Sequence, residues 1–132
     1  MSTKHAVHFD DYTKGHYIKK LVKKYNQKPW DVTELALRSF GENIEVMMGT
    51  DQVRLIHSKD HLSIHKVYFS VAGTKVGYTD SCCRAIIVTD SNKKLVTFLL
   101  VYHTTHLSGK GGETVQWERV IKDNFPEYAL MI

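Results

Sequence analysis

Apolar residues along this chain follow two kinds of spacing, and the change comes near residue 50. Before it, Ile18, Leu21, Val22 and Tyr25 recur at three- and four-residue intervals, as do Trp30, Leu37, Phe40, Ile44 and Met47 or Met48. Each set makes one face of an amphipathic helix. Pro29 disfavours helical geometry at Lys28 and suits a first helical turn, so the two helices should part at YNQKP. Gly41 is a weak point inside the second helix and Gly49 a plausible stop. Ahead of them KHAVHF alternates as a short strand does, and DD offers a cap for the first helix. After residue 50, QVRLIH, LSIHKVYFSV, CCRAIIVTD and KLVTFLLVYH are rich in β-branched and aromatic residues and read as strands, the last apolar enough for the centre of a sheet. AGTKVGYTDS is a turn-rich loop and DSNKK a hairpin turn. Beyond SGKGG, the helical period returns through Trp117, Val120, Ile121 and Phe125, until Pro126 ends it. The order predicts one α+β domain over residues 1–132, with an N-terminal strand and helical hairpin packed on a central antiparallel sheet, plus a C-terminal helix.

Composition narrows the setting. With 42% hydrophobic and 24% charged residues the chain has the make-up of a soluble globular protein, and no apolar run reaches bilayer length. MSTKHAVHFDD lacks an apolar signal core, so a cytoplasmic location and no membrane partner are expected. Cys82 and Cys83 are adjacent within a strand and so point to opposite faces, which argues against a structural disulfide. The net charge of +4 and pI near 9.0 favour acidic partners, RNA among them. Its distribution says more: six lysines and no acid lie between Tyr12 and Trp30. Lys19, Lys20, Lys23 and Lys24 are therefore candidate RNA-binding residues, against the plainer alternative of a solvated helix face.

Eight histidines are many for this length, and His57, His61 and His65 recur every fourth residue. That spacing shares a face on a helix or on a strand and gives zinc a hearing. No HExxH or paired CxxC accompanies it, so neither a metal nor another cofactor is expected. His65, His106 and Lys110, the last in the SGKGG loop, are candidates for contact with an RNA backbone or, more simply, half-exposed polar residues. Lys66 near the start of one strand, Arg84 at the start of the next and His103 at the end of the last can converge on one rim of an antiparallel sheet. A guanidinium grips phosphate through paired hydrogen bonds, an ammonium adds a point charge, and an imidazole exchanges protons near neutral pH. Since RNA carries its own nucleophile, the 2′-hydroxyl, such a trio needs no metal. The bland alternatives are a surface ion pair for Arg84 and a strand cap for His103. Glu113 either orients a histidine or caps its helix, and Trp117 either stacks a base or packs in the core.

The span from IHKVYF through CRAIIVTDSNKKLVTFLLVYH resembles the RelE/ParE superfamily of toxins from type II toxin–antitoxin modules, in element order over residues 5–106 and in motifs over 64–106. The resemblance implies a small α+β fold and, in the nuclease branch, metal-free cleavage of mRNA in the ribosomal A site, restrained by a cognate antitoxin. By position, Lys66 is similar to the family's basic-strand phosphate ligand and Arg84 to its transition-state arginine. Tyr102-His103 is similar to the Tyr-His pair of YoeB-type members, which makes His103 the proton-transfer group. Two departures stand out. Thr104 and Thr105 occupy positions where nuclease members often carry arginine or tyrosine, and the C-terminal helix extends past a minimal toxin.

These residues leave three functions open: an endoribonuclease of the mRNA interferase type, with Lys66, Arg84 and His103 catalytic; a gyrase-binding relative of the ParE branch; and a catalytically silent module that binds RNA or protein.

Overall fold

The computed structural model describes residues 4–132; residues 1–3 lie outside the described residues. Strand β1 (Ala6–Phe9) ends at Asp10, whose carboxylate accepts a hydrogen bond from the Tyr12 N–H at 2.8 Å and so caps the next, helical run. That run is α1 (Asp11–Thr13), a π-helical turn over Lys14–Ile18, and α2 (Lys19–Tyr25). It stops within YNQKP as the sequence predicts, but Asn26 does the turning: its φ of 77° is left-handed, and its N–H bonds back to the Val22 carbonyl at 2.8 Å. Helix α3 (Gln27–Glu42) starts at once with Pro29 in its first turn, and α4 (Ile44–Met47) is a separate short turn after Asn43.

The sheet has five strands in the order β1-β5-β4-β3-β2, with β2 (Val53–Lys59), β3 (Leu62–Phe69), β4 (Cys83–Asp90) and β5 (Leu95–His103) antiparallel as neighbours. The N-terminal strand β1 joins this antiparallel sheet at its edge and lies parallel to β5, with Ala6 beside Leu95 and Phe9 beside Phe98. Parallel neighbours need a long connection, and β1 and β5 are joined by the helical hairpin and three strands. Four residues of β1 cover only the first part of β5. The edge continues through the Asp10 N–H, which donates to the Phe98 carbonyl at 3.0 Å, and through the Thr13 hydroxyl, which accepts from the Val101 N–H at 2.7 Å. A register slip places Ile86 opposite Leu100 and Ile87 opposite Phe98, so Leu99 is the extra residue of a bulge.

Both faces of the sheet are covered. On one, Leu21 of α2 and Trp30, Leu37 and Phe40 of α3 pack on Val67, Ala85, Ile87, Phe98 and Val101. On the other, Trp117 and Ile121 of α5 (Glu113–Asn124), with Phe125 after it, pack on Ile64, Ile86, Leu100 and Tyr102. Pro126 ends α5 as expected and opens a last turn, α6 (Pro126–Ala129). Among the described residues no helix is long and apolar enough to cross a membrane.

Gly41 is a contact point rather than a mere weakness of α3. A Cβ there would lie 2.8 Å from Cγ2 of Val7 and 3.2 Å from Cε1 of Phe98, so the missing side chain lets α3 rest on β1 and β5. Gly41→Ala should destabilise the protein by about 1–3 kcal/mol despite alanine's better helix propensity. Equilibrium urea unfolding checks this, and an equal or raised midpoint would show that Val7 moves aside.

Candidate functional site

Strand alternation decides which side chains meet. On β3, His65, Val67 and Phe69 turn toward α3, so Ile64, Lys66 and Tyr68 turn toward α5. Register then aligns Tyr68, Arg84 and Tyr102 as one row across three strands, and Arg54, Lys66, Ile86 and Leu100 as the next. The Arg84 guanidinium lies 4.5 Å and the Lys66 ammonium 5.5 Å from the centroid of the Tyr68 ring. One electron-rich ring thus serves two cations. Arg84 Nη1 donates to the carbonyls of Cys83 (2.9 Å) and Ser81 (3.2 Å), which fix the group, while its buried Nε–H has no partner among the described residues. Beside Tyr68 opens a hollow of about 450 Å³ lined by Asp51, Val53, Arg54, Tyr68 and Thr79.

Glu113, the first residue of α5, reaches the same cluster. Its Oε2 is ion-paired with Lys66 Nζ and accepts a hydrogen bond from the Tyr102 hydroxyl at 3.1 Å. Burial, and then the Glu113 charge, push the Tyr102 phenol far above its ordinary value of 10.0, so it keeps its proton and acts as a donor. The Lys66 side chain is 13% exposed and that of Glu113 27%, so the carboxylate is the more open of the two.

His103 does not join them. It lies opposite Cys83, and its ring sits 6.4 Å from Tyr25 and 5.4 Å from His106, toward the α2 side. Alternation explains the split, because Tyr102 takes the α5 face and the next residue must take the other. Its Nδ1 accepts from the Thr105 N–H at 3.2 Å and stands 2.7 Å from the Thr105 hydroxyl. A nitrogen accepting from a backbone N–H carries no proton, so the neutral ring is protonated at Nε2. Burial first, then the charges of Lys24, His106 and Arg84, lower its proton affinity below the ordinary 6.5. Burial and the charges of Lys20 and Lys24 do the same to His106. The trio expected on one rim is therefore a pair, Lys66 and Arg84, on one face, and a histidine on the other that still feels Arg84.

The remaining candidates divide by burial. Lys19, Lys20, Lys23 and Lys24 project from α2 into solvent and Lys110 from its loop, where its carbonyl accepts from Arg119 at 3.0 Å. Trp117 is 1% exposed within the core under α5, so it is no platform for a base: the helix has nowhere else to bury its largest side chain. His65 is likewise buried on the α3 side of β3, which removes it from any RNA-facing surface. His57 is 4.0 Å from Glu118 and His61 3.8 Å from Asp90, so the every-fourth spacing of His57, His61 and His65 is spread over a hairpin. Among the described residues no group of three or more His, Cys, Asp or Glu side chains is placed to hold a metal ion. Sequence reasoning missed Arg54 and Tyr68. Tyr68 was within reach, since a residue two beyond Lys66 on a strand shares its face.

No protein-family model matches the chain. No curated protein matches it either. Among solved structures, a chain of the archaeal RelE–RelB complex from Pyrococcus horikoshii OT3 superposes with a TM-score of 0.52, covering 76% of this chain and 96% of that one at 12% identity. The fold is RelE-like. At that identity the likeness carries the architecture, and the role of each residue in this RelE-like chain has to come from its own geometry.

The histidines give a pH dependence with a definite sign. His65, lowered by burial, His103 and His106 all bind protons less readily in the folded chain than their ordinary 6.5. Below that value the unfolded chain takes up more protons, so the stability present above pH 6.5 is lost as pH falls through the folded values. Urea unfolding from neutral to acidic pH, with NMR titration of the three rings, tests this; midpoints at or above 6.5 would contradict it.

Proposed function

We propose that this chain is a toxin-type endoribonuclease that cleaves mRNA, bound to the ribosome, without a metal. The observation that carries the reading is the sharing of one tyrosine ring by Arg84 and Lys66, on a sheet face where Arg54 adds a third cation beside an open hollow. Three cations and an aromatic residue on neighbouring strands suit a single-stranded polynucleotide, whose phosphates need charge and whose bases offer flat faces. The RelE-like fold supports the toxin assignment, and the RelE–RelB complex supports a cognate antitoxin as partner.

In this mechanism the 2′-hydroxyl attacks the adjacent phosphorus, the bond to O5′ breaks, and a 2′,3′-cyclic phosphate remains. Arg84 holds the non-bridging oxygens in its plane and Lys66 adds charge as the phosphorane forms. The exposed lysines of α2, Lys19, Lys20, Lys23 and Lys24, contact the RNA backbone, with His103 and His106 behind them on the α2 side, and Lys110 contacts it from the loop before α5. A second reading, a catalytically silent binding module of the same fold, is favoured by one observation: Glu113 neutralises Lys66.

Inducible expression in a bacterium with mapping of new mRNA 5′ ends separates the two. Growth arrest with cuts inside translated codons is expected, and Arg84→Ala should lower cleavage by about 100- to 1,000-fold. Arrest without new ends would favour the binding module or a gyrase-type target. Ribosome association should weaken as salt rises, since each lysine contact to a phosphate releases counterions; association indifferent to salt would remove the α2 lysines from the interface.

A further inference from the structure

We infer that Glu113 is the general base of this site, an inference that rests on the RNA-cleavage reading. Cleavage by the 2′-hydroxyl needs a group to take its proton on the face where the phosphate is held. His103 is on the other face, with Nδ1 committed to Thr105. Tyr102 is on the correct face but is buried and holds its proton. Glu113 touches two members of the site and is open to solvent enough to meet a substrate.

Its surroundings fit the task. The Lys66 ammonium and the Tyr102 hydroxyl both bind Oε2 and fix the plane of the carboxylate. Trp117, Ile121 and Phe125 anchor the helix on the sheet, so the carboxylate is carried by a rigid element. In the reaction, Glu113 Oε1 takes the proton of the 2′-hydroxyl while O2′ bonds to phosphorus. The P–O5′ bond then breaks, O5′ takes a proton from water, and Glu113 returns its own proton to solvent. Lys66 has two partners in turn, the carboxylate at rest and the phosphorane during reaction, and its ion pair with Glu113 is part of the machinery rather than a blockade.

The experiment is single-turnover cleavage of mRNA on programmed ribosomes by the full chain, across acidic to neutral pH, with a strand carrying a 2′-deoxy sugar at the cut as control. The wild-type rate should rise from the acidic end and level off. Glu113→Gln should remove that rise and slow cleavage by about 100- to 10,000-fold, with RNA affinity unchanged or tighter. Glu113→Asp should keep the pH dependence at a reduced rate; it is also the variant to read if Glu113→Gln fails to fold, with thermal unfolding as the check. A Glu113→Gln protein that cleaves at the wild-type rate with the same pH profile would overturn the base while leaving the nuclease standing. Faster cleavage would overturn it too and make Glu113 an occupant of the phosphate position. If wild-type protein cuts nothing, the cleavage reading itself fails; equal cutting of the deoxy strand would remove 2′-hydroxyl attack and the base with it.

Discussion

Strand β5 is covered by side-chain layers on both faces, and its outer edge must still find partners for every amide. An unpaired N–H there would cost about as much as a lost hydrogen bond. The chain meets this with three successive devices along one edge: the four residues of β1, the Asp10 amide, and the hydroxyl of Thr13. The last is unusual in asking a buried threonine on a helix to finish a β-ladder. This requirement fixes where the N-terminal helix starts and how close it lies to the sheet. It also decides where β5 is released, and the release point is where Tyr102 and His103 diverge to opposite faces.

That divergence explains why a single strand end serves two environments. On the α5 side, like charges on Lys66 and Arg84 are tolerated because both lie against one tyrosine ring and a carboxylate meets one of them. On the α2 side, burial first and then the neighbouring lysine charges make His103 and His106 bind protons less readily. The first cluster sets its cations against a ring and a carboxylate, while the second lowers the proton affinity of its imidazoles.

Element order and type were readable because periodicity reports burial, and burial is what these elements are made of. The four antiparallel strands, the break at YNQKP and the stop at Pro126 came from local chemistry and are present. The parallel seat of β1 was not readable, because nothing local distinguishes the partner of an edge strand. Lys66 and Arg84 could be named as basic residues on neighbouring strands, although Lys66 lies in the middle of β3 and only Arg84 near a strand start. The placement of His103 fell to parity: the bulge at Leu99 and the exact register decide which of two adjacent residues turns inward. The proximity of Glu113 depended on how far α5 slides along the sheet, a tertiary quantity set by Trp117 and Ile121.

The π-helical turn over Lys14–Ile18 has a consequence for how the molecule comes apart. Its wider winding turns Tyr17 toward the layer beneath α5, while Ile18 and Leu21, immediately after, turn toward the layer beneath α3. A single helical run thus acts as a rivet through both layers. Peeling away either one strips side chains from the segment that holds the other, so neither has a fate of its own. A segment shared in this way couples the two cores and favours a single cooperative transition.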